Sequence, residues 1–143
     1  MHKTKERTKE QLFWLHAGTV GESIASLTQA TCLREKQPNF NILITTNTPT
    51  AARRIAEQGD RAILHSYQPL DHLQWVERFL DHWQTDYAVM LESDFWPNLI
   101  CATAARGTPL CFASAQLSDN AYQAWQKRAP LARPIFSTPQ DIF

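Results

Sequence analysis

Short apolar runs alternate with longer segments of helical periodicity along the whole chain, and this alternation is the strongest constraint on its fold. Strands that alternate with helices pair in parallel through right-handed crossovers, and strands that are apolar throughout are buried on both faces. The sequence therefore predicts an α/β fold: a Rossmann-like parallel sheet with helices on both faces and the strand order 3-2-1-4-5. The predicted strands are LFWLHA (12–17), NILITT (41–46), AILHSY (62–67), YAVMLES (87–93) and PLCFASA (109–115), with PIFST (134–138) as a sixth strand at the edge.

Capping residues and glycines mark the helices between these runs. The first helix is expected from about Glu22 to Lys36. The second is expected to have Thr48 as its N-cap, Pro49 at its first position and Gly59 at its end.

The remaining helices carry similar signals. Asp71 is expected to cap the third helix, Gly107 to end the fourth, and Ser118 to cap the fifth. The third helix has the clearest apolar face, because its apolar residues recur at helical spacing. That face consists of Leu73, Val76, Phe79, Leu80 and Trp83.

The length and charge of the chain limit its number of domains and its class of partner. The chain has 143 residues, with 14 basic and 14 acidic side chains, and this balance argues against a nucleic-acid partner. One domain over residues 12–143 is expected, after a flexible charged tail, MHKTKERTKEQ, at 1–11. The tail lacks the apolar segment of a signal peptide, and no window approaches the roughly 20 apolar residues of a membrane span. The chain is therefore expected to be soluble and cytoplasmic.

No cofactor or metal is expected from the motifs. Cys32, Cys101 and Cys111 form no C-x-x-C pair, and the five histidines are scattered, so the cysteines are expected to be small buried apolar residues. The sequence GTVGES matches neither the dinucleotide fingerprint G-x-G-x-x-G nor a Walker A loop. No acidic residue ends the second strand to hold a ribose.

Carboxylates follow the first and fourth predicted strands. In this strand order the direction of winding reverses between those two strands, and ligands bind at such a switch point. Glu22 follows the first strand, and Glu92 and Asp94 stand at the end of the fourth. Residues some seventy positions apart are therefore expected to converge on one cleft.

The residues themselves leave the roles of these side chains open. Glu22 is either a favourable first-turn helix residue, which the pattern alone favours, or a general base held ionised by the helix dipole. Gly18 and Gly21 leave room for a bulky substrate. Glu92 either caps the next helix or faces the cleft, and Arg53 is either solvated or paired with a phosphate of an acceptor.

Three co-linear motifs resemble a known family. WLHAGTVGES, ITTNTPTAARR and MLESDFWPNLI resemble the N-terminal domain of the 3-deoxy-D-manno-octulosonic acid (Kdo) transferases of lipopolysaccharide synthesis. The corresponding family patterns are approximately H-A-x-S-V-G-E, T-x-T-P-T-G and E-T-E-L-W-P-N. The similarity runs from about Phe13 to the end of the chain.

The resemblance implies an inverting glycosyltransferase of the GT-B type, which needs no metal and has two Rossmann-like halves. The N-terminal half binds the lipid A precursor, and the C-terminal half holds the donor CMP-Kdo. The family's general base falls on Glu22, and its acidic pair falls on Glu92 and Asp94. The other positions that the resemblance assigns to acceptor binding are Thr19, Gly21, Thr48, Arg53, Asn98 and Gln116.

Several departures from the family pattern matter. Members normally begin with a membrane-anchoring segment, and this chain ends at STPQDIF, about where the donor-binding domain would follow. Gln116 replaces an arginine, and Thr19 replaces a serine. The expected function is thus the acceptor half of a Kdo transferase, inactive alone. The alternatives are a non-catalytic truncated paralogue or binding module that keeps only the fold, or a piece of a longer enzyme. The full-length enzyme is expected at the cytoplasmic face of the bacterial inner membrane, with a peripheral membrane contact.

Overall fold

A six-stranded sheet forms the centre of the protein. The computed structural model describes residues 10–58, 60–91, 96–113, 119–127, 130 and 141–142. The strand order is β3-β2-β1-β4-β5-β6, and every neighbouring pair is parallel, which confirms the predicted fold class and strand order. The strands are β1 Leu12–His16, β2 Asn41–Thr46, β3 Ile63–Tyr67, β4 Tyr87–Leu91, β5 Leu110–Ala113 and β6 Asp141–Ile142.

The helices follow the strands along the chain, as expected for parallel crossovers. The first begins at Val20, two residues before the predicted start, because Thr19 caps it. The helices are α1 Val20–Lys36, α2 Pro49–Glu57, α3 Leu73–Trp83, α4 Pro97–Ala105 and α5 Asp119–Gln126. The structure describes no helix long and apolar enough to cross a bilayer.

Two apolar clusters lie on opposite faces of the sheet. Successive residues of a strand point to opposite faces, and Trp14 packs in one cluster while its neighbour Leu15 packs in the other. The Trp14 cluster includes Val76 of α3 and Leu99 of α4. The Leu15 cluster includes residues of α1 and α2. Helices α1 and α2 therefore cover one face, and α3 and α4 cover the other.

The structure corrects the predicted cap of α3. His72, not Asp71, occupies the N-cap position, and its side chain makes no capping hydrogen bond. The His72 carbonyl already accepts a hydrogen bond from the Val76 amide, at 3.0 Å. Asp71 therefore lies one residue too early to cap α3, and its carboxylate binds the first turn of α4 instead.

The expectation of buried cysteines was also wrong. Cys32 and Cys101 are exposed, and Cys111 is half-buried. Cys32 and Cys101 lie on the outer sides of α1 and α4, whose inner sides are occupied by residues such as Ala30 and Ile100.

Several predicted features lie outside the described residues. They are the end of α2 at Gly59, the cap of α5 at Ser118, the ends of β4 and β5 at 92–93 and 114–115, and the predicted sixth strand at 134–138. The observed β6 lies further along the chain, beside Cys111 and Phe112. Of the predicted tail, Glu10 and Gln11 are described, and both accept hydrogen bonds from Asn41.

Candidate functional site

The switch point of the sheet lies between β1 and β4. Strand β1 pairs with β2 on one side and with β4 on the other, and His16 is in register with both Thr45 and Met90. The chain then turns to α1 on one face after β1, and to α4 on the other face after β4. The N-termini of these two helices therefore lie at the carboxyl end of the sheet, on either side of the switch point. We call the position between them the crevice, because open α/β sheets bind ligands there.

Glu22 occupies the first turn of α1 and completes a capping box. The Thr19 hydroxyl accepts a hydrogen bond from the Glu22 amide at 3.3 Å, and the Glu22 carboxylate accepts one from the Thr19 amide at 3.1 Å. The box satisfies two amides that the helix itself leaves without partners. Glu22 is only 4% exposed, so its carboxylate is held in one place. The structural role that the sequence left open is therefore present in the fold.

The start of α2 lies beside the start of α1. The Thr48 side chain caps α2 by accepting a hydrogen bond from the Ala51 amide, at 3.2 Å. One residue earlier, the Asn47 amide donates to the Gly18 carbonyl, at 3.4 Å. The two capping threonines, Thr19 and Thr48, therefore belong to neighbouring loops at the carboxyl end of the sheet. Arg53 lies further along α2 and is exposed.

Gly21 leaves open space next to Glu22. It is exposed, and a β-carbon built at this position would have no neighbouring atom within 4 Å. The backbone here is not in the left-handed region, so the fold does not require glycine at this position. The open space is consistent with the expectation that a bulky ligand can approach the first turn of α1.

A buried polar network that no sequence pattern predicted lies at the carboxyl ends of β1 and β2. The Trp14 indole donates to the Thr45 hydroxyl at 2.8 Å, and the His16 Nδ1 atom lies 2.9 Å from the same hydroxyl. All three side chains are fully buried. A hydroxyl that accepts from an indole has one hydrogen to donate and a second lone pair, so the direction of its bond with Nδ1 is set by the histidine tautomer. The only sequence signal was a histidine and a threonine at the ends of adjacent strands.

A second polar pair joins β2 to the edge strand β3. The Thr46 hydroxyl lies 2.9 Å from Nε2 of His65. Burial disfavours the charged imidazolium and lowers the pKa of His65 from its ordinary value of 6.5. His65 is therefore neutral at physiological pH.

Asn98 lies on the other side of the crevice, in the first turn of α4. Its backbone amide donates to Asp71 Oδ2 at 3.2 Å, and its side-chain amide donates to the Asp71 carbonyl at 2.8 Å. The Leu99 amide donates to Asp71 Oδ1 at 2.9 Å. Asn98, a predicted binding residue, thus has a structural contact with Asp71 that no sequence pattern indicated.

The structure brings some of the predicted site residues together. Four of them lie at the starts of α1 and α2, at the carboxyl end of the sheet: Thr19, Gly21, Glu22 and Thr48. Asn98 lies on the opposite face of the sheet. Glu92, Asp94 and Gln116 lie outside the described residues, and their roles remain predictions. In the part of the chain that the structure describes, no three metal-ligating side chains are grouped so as to hold an ion.

Comparison with solved structures supports the fold. MurG of Acinetobacter baumannii superposes with a TM-score of 0.60 at 14% identity, covering 93% of this chain and 40% of that one. Leucoanthocyanidin reductase of Vitis vinifera, solved with NADPH, superposes with a TM-score of 0.53 at 16% identity, covering 85% of this chain and 45% of the reductase. At such low identity these likenesses concern the fold alone.

Comparison of sequences identifies the family. A probable mitochondrial 3-deoxy-D-manno-octulosonic acid transferase of Arabidopsis thaliana is 32% identical over 95% of this chain. The transferase of Haemophilus influenzae is 32% identical over 82% of it. The aligned part is 30% of the Arabidopsis protein's length and 27% of the Haemophilus protein's. The family model for 3-deoxy-D-manno-octulosonic acid transferase (kdotransferase) matches residues 1–143, and the protein therefore belongs to this family, as its three motifs predicted.

Proposed function

We propose that this chain is the N-terminal, acceptor-binding domain of a GT-B glycosyltransferase that moves Kdo from CMP-Kdo to a lipid A precursor. The observation that carries the proposal is the position of Glu22, in the family's V-G-E motif and in the first turn of α1 beside the switch point. The remaining length of the relatives has no counterpart in these 143 residues. The CMP-Kdo donor is accordingly assigned to a separate C-terminal domain.

Glu22 is proposed as the general base of an inverting transfer. The acceptor hydroxyl gives its proton to the Glu22 carboxylate, and its oxygen forms a bond to the anomeric carbon of Kdo. The bond from that carbon to the phosphate breaks on the opposite side, and CMP leaves. The Thr19 amide and the positive end of α1 stabilise the carboxylate anion, the form that accepts a proton.

The remaining predicted residues are proposed to hold the acceptor. Thr19 and Thr48 offer hydroxyl groups, Gly21 leaves space, and Arg53 supplies a positive charge for an acceptor phosphate. Glu92, Asp94, Asn98 and Gln116 are proposed to complete the site from the other side of the crevice. The reaction is proposed to need no metal or other cofactor, and to take place at the cytoplasmic face of the inner membrane through peripheral contact.

Acceptor binding by the chain tests this proposal directly. The lipid A precursor, dispersed in detergent, is titrated into isotope-labelled protein while amide NMR shifts are recorded. Saturable shifts are expected at residues 18–22 and 47–50, and CMP-Kdo alone should leave these signals unmoved. Detergent without the lipid is the control. Absence of saturable shifts at these residues would contradict the assignment of the acceptor site.

One observation favours a second candidate, a binding module that keeps the fold without the reaction. The capping box gives Glu22 a complete structural role, so a glutamate at this position would be favoured even in a protein that does not catalyse the reaction. The two candidates differ in what Glu22→Gln does to transfer, because glutamine can complete a capping box but cannot serve as the base.

A further inference from the structure

Strands β1 and β2 are joined near their carboxyl ends by two side chains that hydrogen-bond to each other. His16 and Thr45 are in register across the two strands, and Nδ1 of His16 lies 2.9 Å from the Thr45 hydroxyl. Both side chains are fully buried. Hydrogen bonds between buried groups are strong, because the surrounding dielectric constant is low. We call these two residues the strand-end pair, since they tie the end of β1 to the end of β2.

Each member of the strand-end pair lies close to a helix cap along the chain. His16 comes three residues before Thr19, the N-cap of α1. Thr45 likewise comes three residues before Thr48, the N-cap of α2. Three residues span at most about 10 Å even when the chain is fully extended. The positions of both capping threonines therefore depend on where the pair holds the two strands.

Backbone hydrogen bonds extend this connection into the loops that lead to the caps. The Ala17 amide donates to the Thr45 carbonyl at 2.8 Å. One step further, the Asn47 amide donates to the Gly18 carbonyl at 3.4 Å, which is longer than the usual range for such bonds. Thr45 therefore holds the end of β1 and the following loop through both its hydroxyl and its carbonyl, by shorter bonds than the one at Asn47.

We propose that Thr45 is a positioning residue for the acceptor site. By holding the end of β1 against β2, it sets the separation between Thr19 and Thr48. This inference rests on the proposed function, in which both capping threonines offer hydroxyl groups to the same acceptor. Thr45 is fully buried and does not touch the acceptor, so its effect on binding passes through the two loops.

Thr45→Val tests the inference, because valine keeps the shape of the side chain and lacks the hydroxyl. The Trp14 indole and the His16 ring then lose the partner that they share. Acceptor affinity, measured by NMR titration, is expected to fall on the order of tenfold, the effect of losing one hydrogen bond between the acceptor and the capping threonines. Hydrogen exchange of the Ala17 and Asn47 amides is expected to accelerate relative to exchange in β4.

Two control variants separate positioning from a general loss of stability. Trp14→Phe removes the other group that contacts the Thr45 hydroxyl and reduces core packing, but it leaves the strand-end pair. Thr45→Ser loses a methyl group and keeps the hydroxyl. At one temperature at which urea unfolding shows every variant to be folded, both controls should bind the acceptor as the original chain does. If Thr45→Val does not fold, Thr45→Ala, which opens space for a water molecule beside the indole and the imidazole, takes its place.

The outcomes separate the inference from the proposed function. If the original chain binds the acceptor and Thr45→Val binds it equally well, the positioning role is overturned. It is also overturned if either control variant lowers the affinity as much as Thr45→Val does. If the original chain binds no acceptor, the proposed function fails, and exchange alone decides the positioning role. Faster exchange at residues 17 and 47 in Thr45→Val than in Trp14→Phe then supports it, and equal exchange overturns it.

Discussion

At the scale of single residues, the capping box lets the structural role of Glu22 be separated from its proposed chemical role. Thr19→Ala removes the side-chain acceptor of the N-cap and should lower the free energy of unfolding by about 1 kcal/mol. Glu22→Gln should lower it far less, because glutamine at this position also completes a capping box. Urea unfolding of the two variants measures both effects. A loss with Glu22→Gln as large as with Thr19→Ala would show that the negative charge stabilises the helix start as much as the Thr19 side chain does.

The open space at Gly21 gives a second prediction at this scale. Gly21→Ala should raise the free energy of unfolding by roughly 0.5–1 kcal/mol, because alanine loses less conformational entropy in a helix. The added methyl group enters no protein contact, so it should obstruct only a ligand that occupies the crevice. Acceptor affinity is therefore expected to fall although the protein becomes more stable.

Gly107 supplies the control for Gly21. Its φ of 76° lies in the left-handed region, where a β-carbon costs about 1–2 kcal/mol. Gly107→Ala should therefore destabilise the protein and leave acceptor affinity unchanged, since Gly107 follows the far end of α4. Unchanged affinity in Gly21→Ala would mean that the acceptor does not approach this turn.

At the scale of elements, the pairing of β2 with the edge strand β3 should depend on pH through His65. Because its folded pKa is lowered, the unfolded chain binds a proton first as the pH falls below 6.5. The contribution of His65 is therefore complete above pH 6.5, and it is lost as the pH falls from there towards the folded pKa. His65→Gln should make the free energy of unfolding less dependent on pH between about 7.5 and about 5. If the pH dependence is unchanged in this variant, titratable groups other than His65 cause it.

Features that depend on neighbouring residues could be predicted from the sequence, whereas a contact between distant residues could not. Strand order and most of the helix faces were predictable, because a run such as NILITT and a face such as Val76, Phe79 and Leu80 report their own burial. Leu73, predicted to lie on the same face at the start of the helix, is instead 56% exposed. Local capping at Thr48 was predictable for the same reason, since cap and helix are adjacent. Asp71 was assigned to the wrong helix because its partners are 27 and 28 residues away, and only the folded chain brings them together.

The candidate site shows the same limit. Topology brought the residues after β1 and β4 to one crevice, and a family motif supplied the proposed role of Glu22. The buried contact of Trp14 and His16 with Thr45 was not predictable, because it depends on the register between β1 and β2. Periodicity predicts which face a side chain occupies, but it does not predict which polar atoms meet on that face.

At the scale of the whole molecule, a fusion tests whether these residues form one half of an enzyme. Residues 1–143 are joined to the part of the Haemophilus influenzae relative that follows its matching segment. The fusion should transfer Kdo from CMP-Kdo to the lipid A precursor, and the chain alone should not, because the donor domain is proposed to supply the other wall of the cleft. Transfer by the 143 residues alone would contradict this division of roles.

Substitutions in the fusion then decide between the two candidate functions. Glu22→Gln should lower transfer by roughly 10²–10⁴-fold, the usual contribution of a general base, with little change in acceptor affinity. Thr19→Ala weakens the same helix start and removes a hydroxyl proposed to hold the acceptor, but it leaves the carboxylate. At saturating acceptor and matched stability it should therefore retain most of the rate. Loss of transfer in Glu22→Gln alone identifies chemistry rather than folding as the cause. Equal rates in Glu22→Gln and the unsubstituted fusion would leave Glu22 with its capping role only, and the base would have to be sought elsewhere around the crevice.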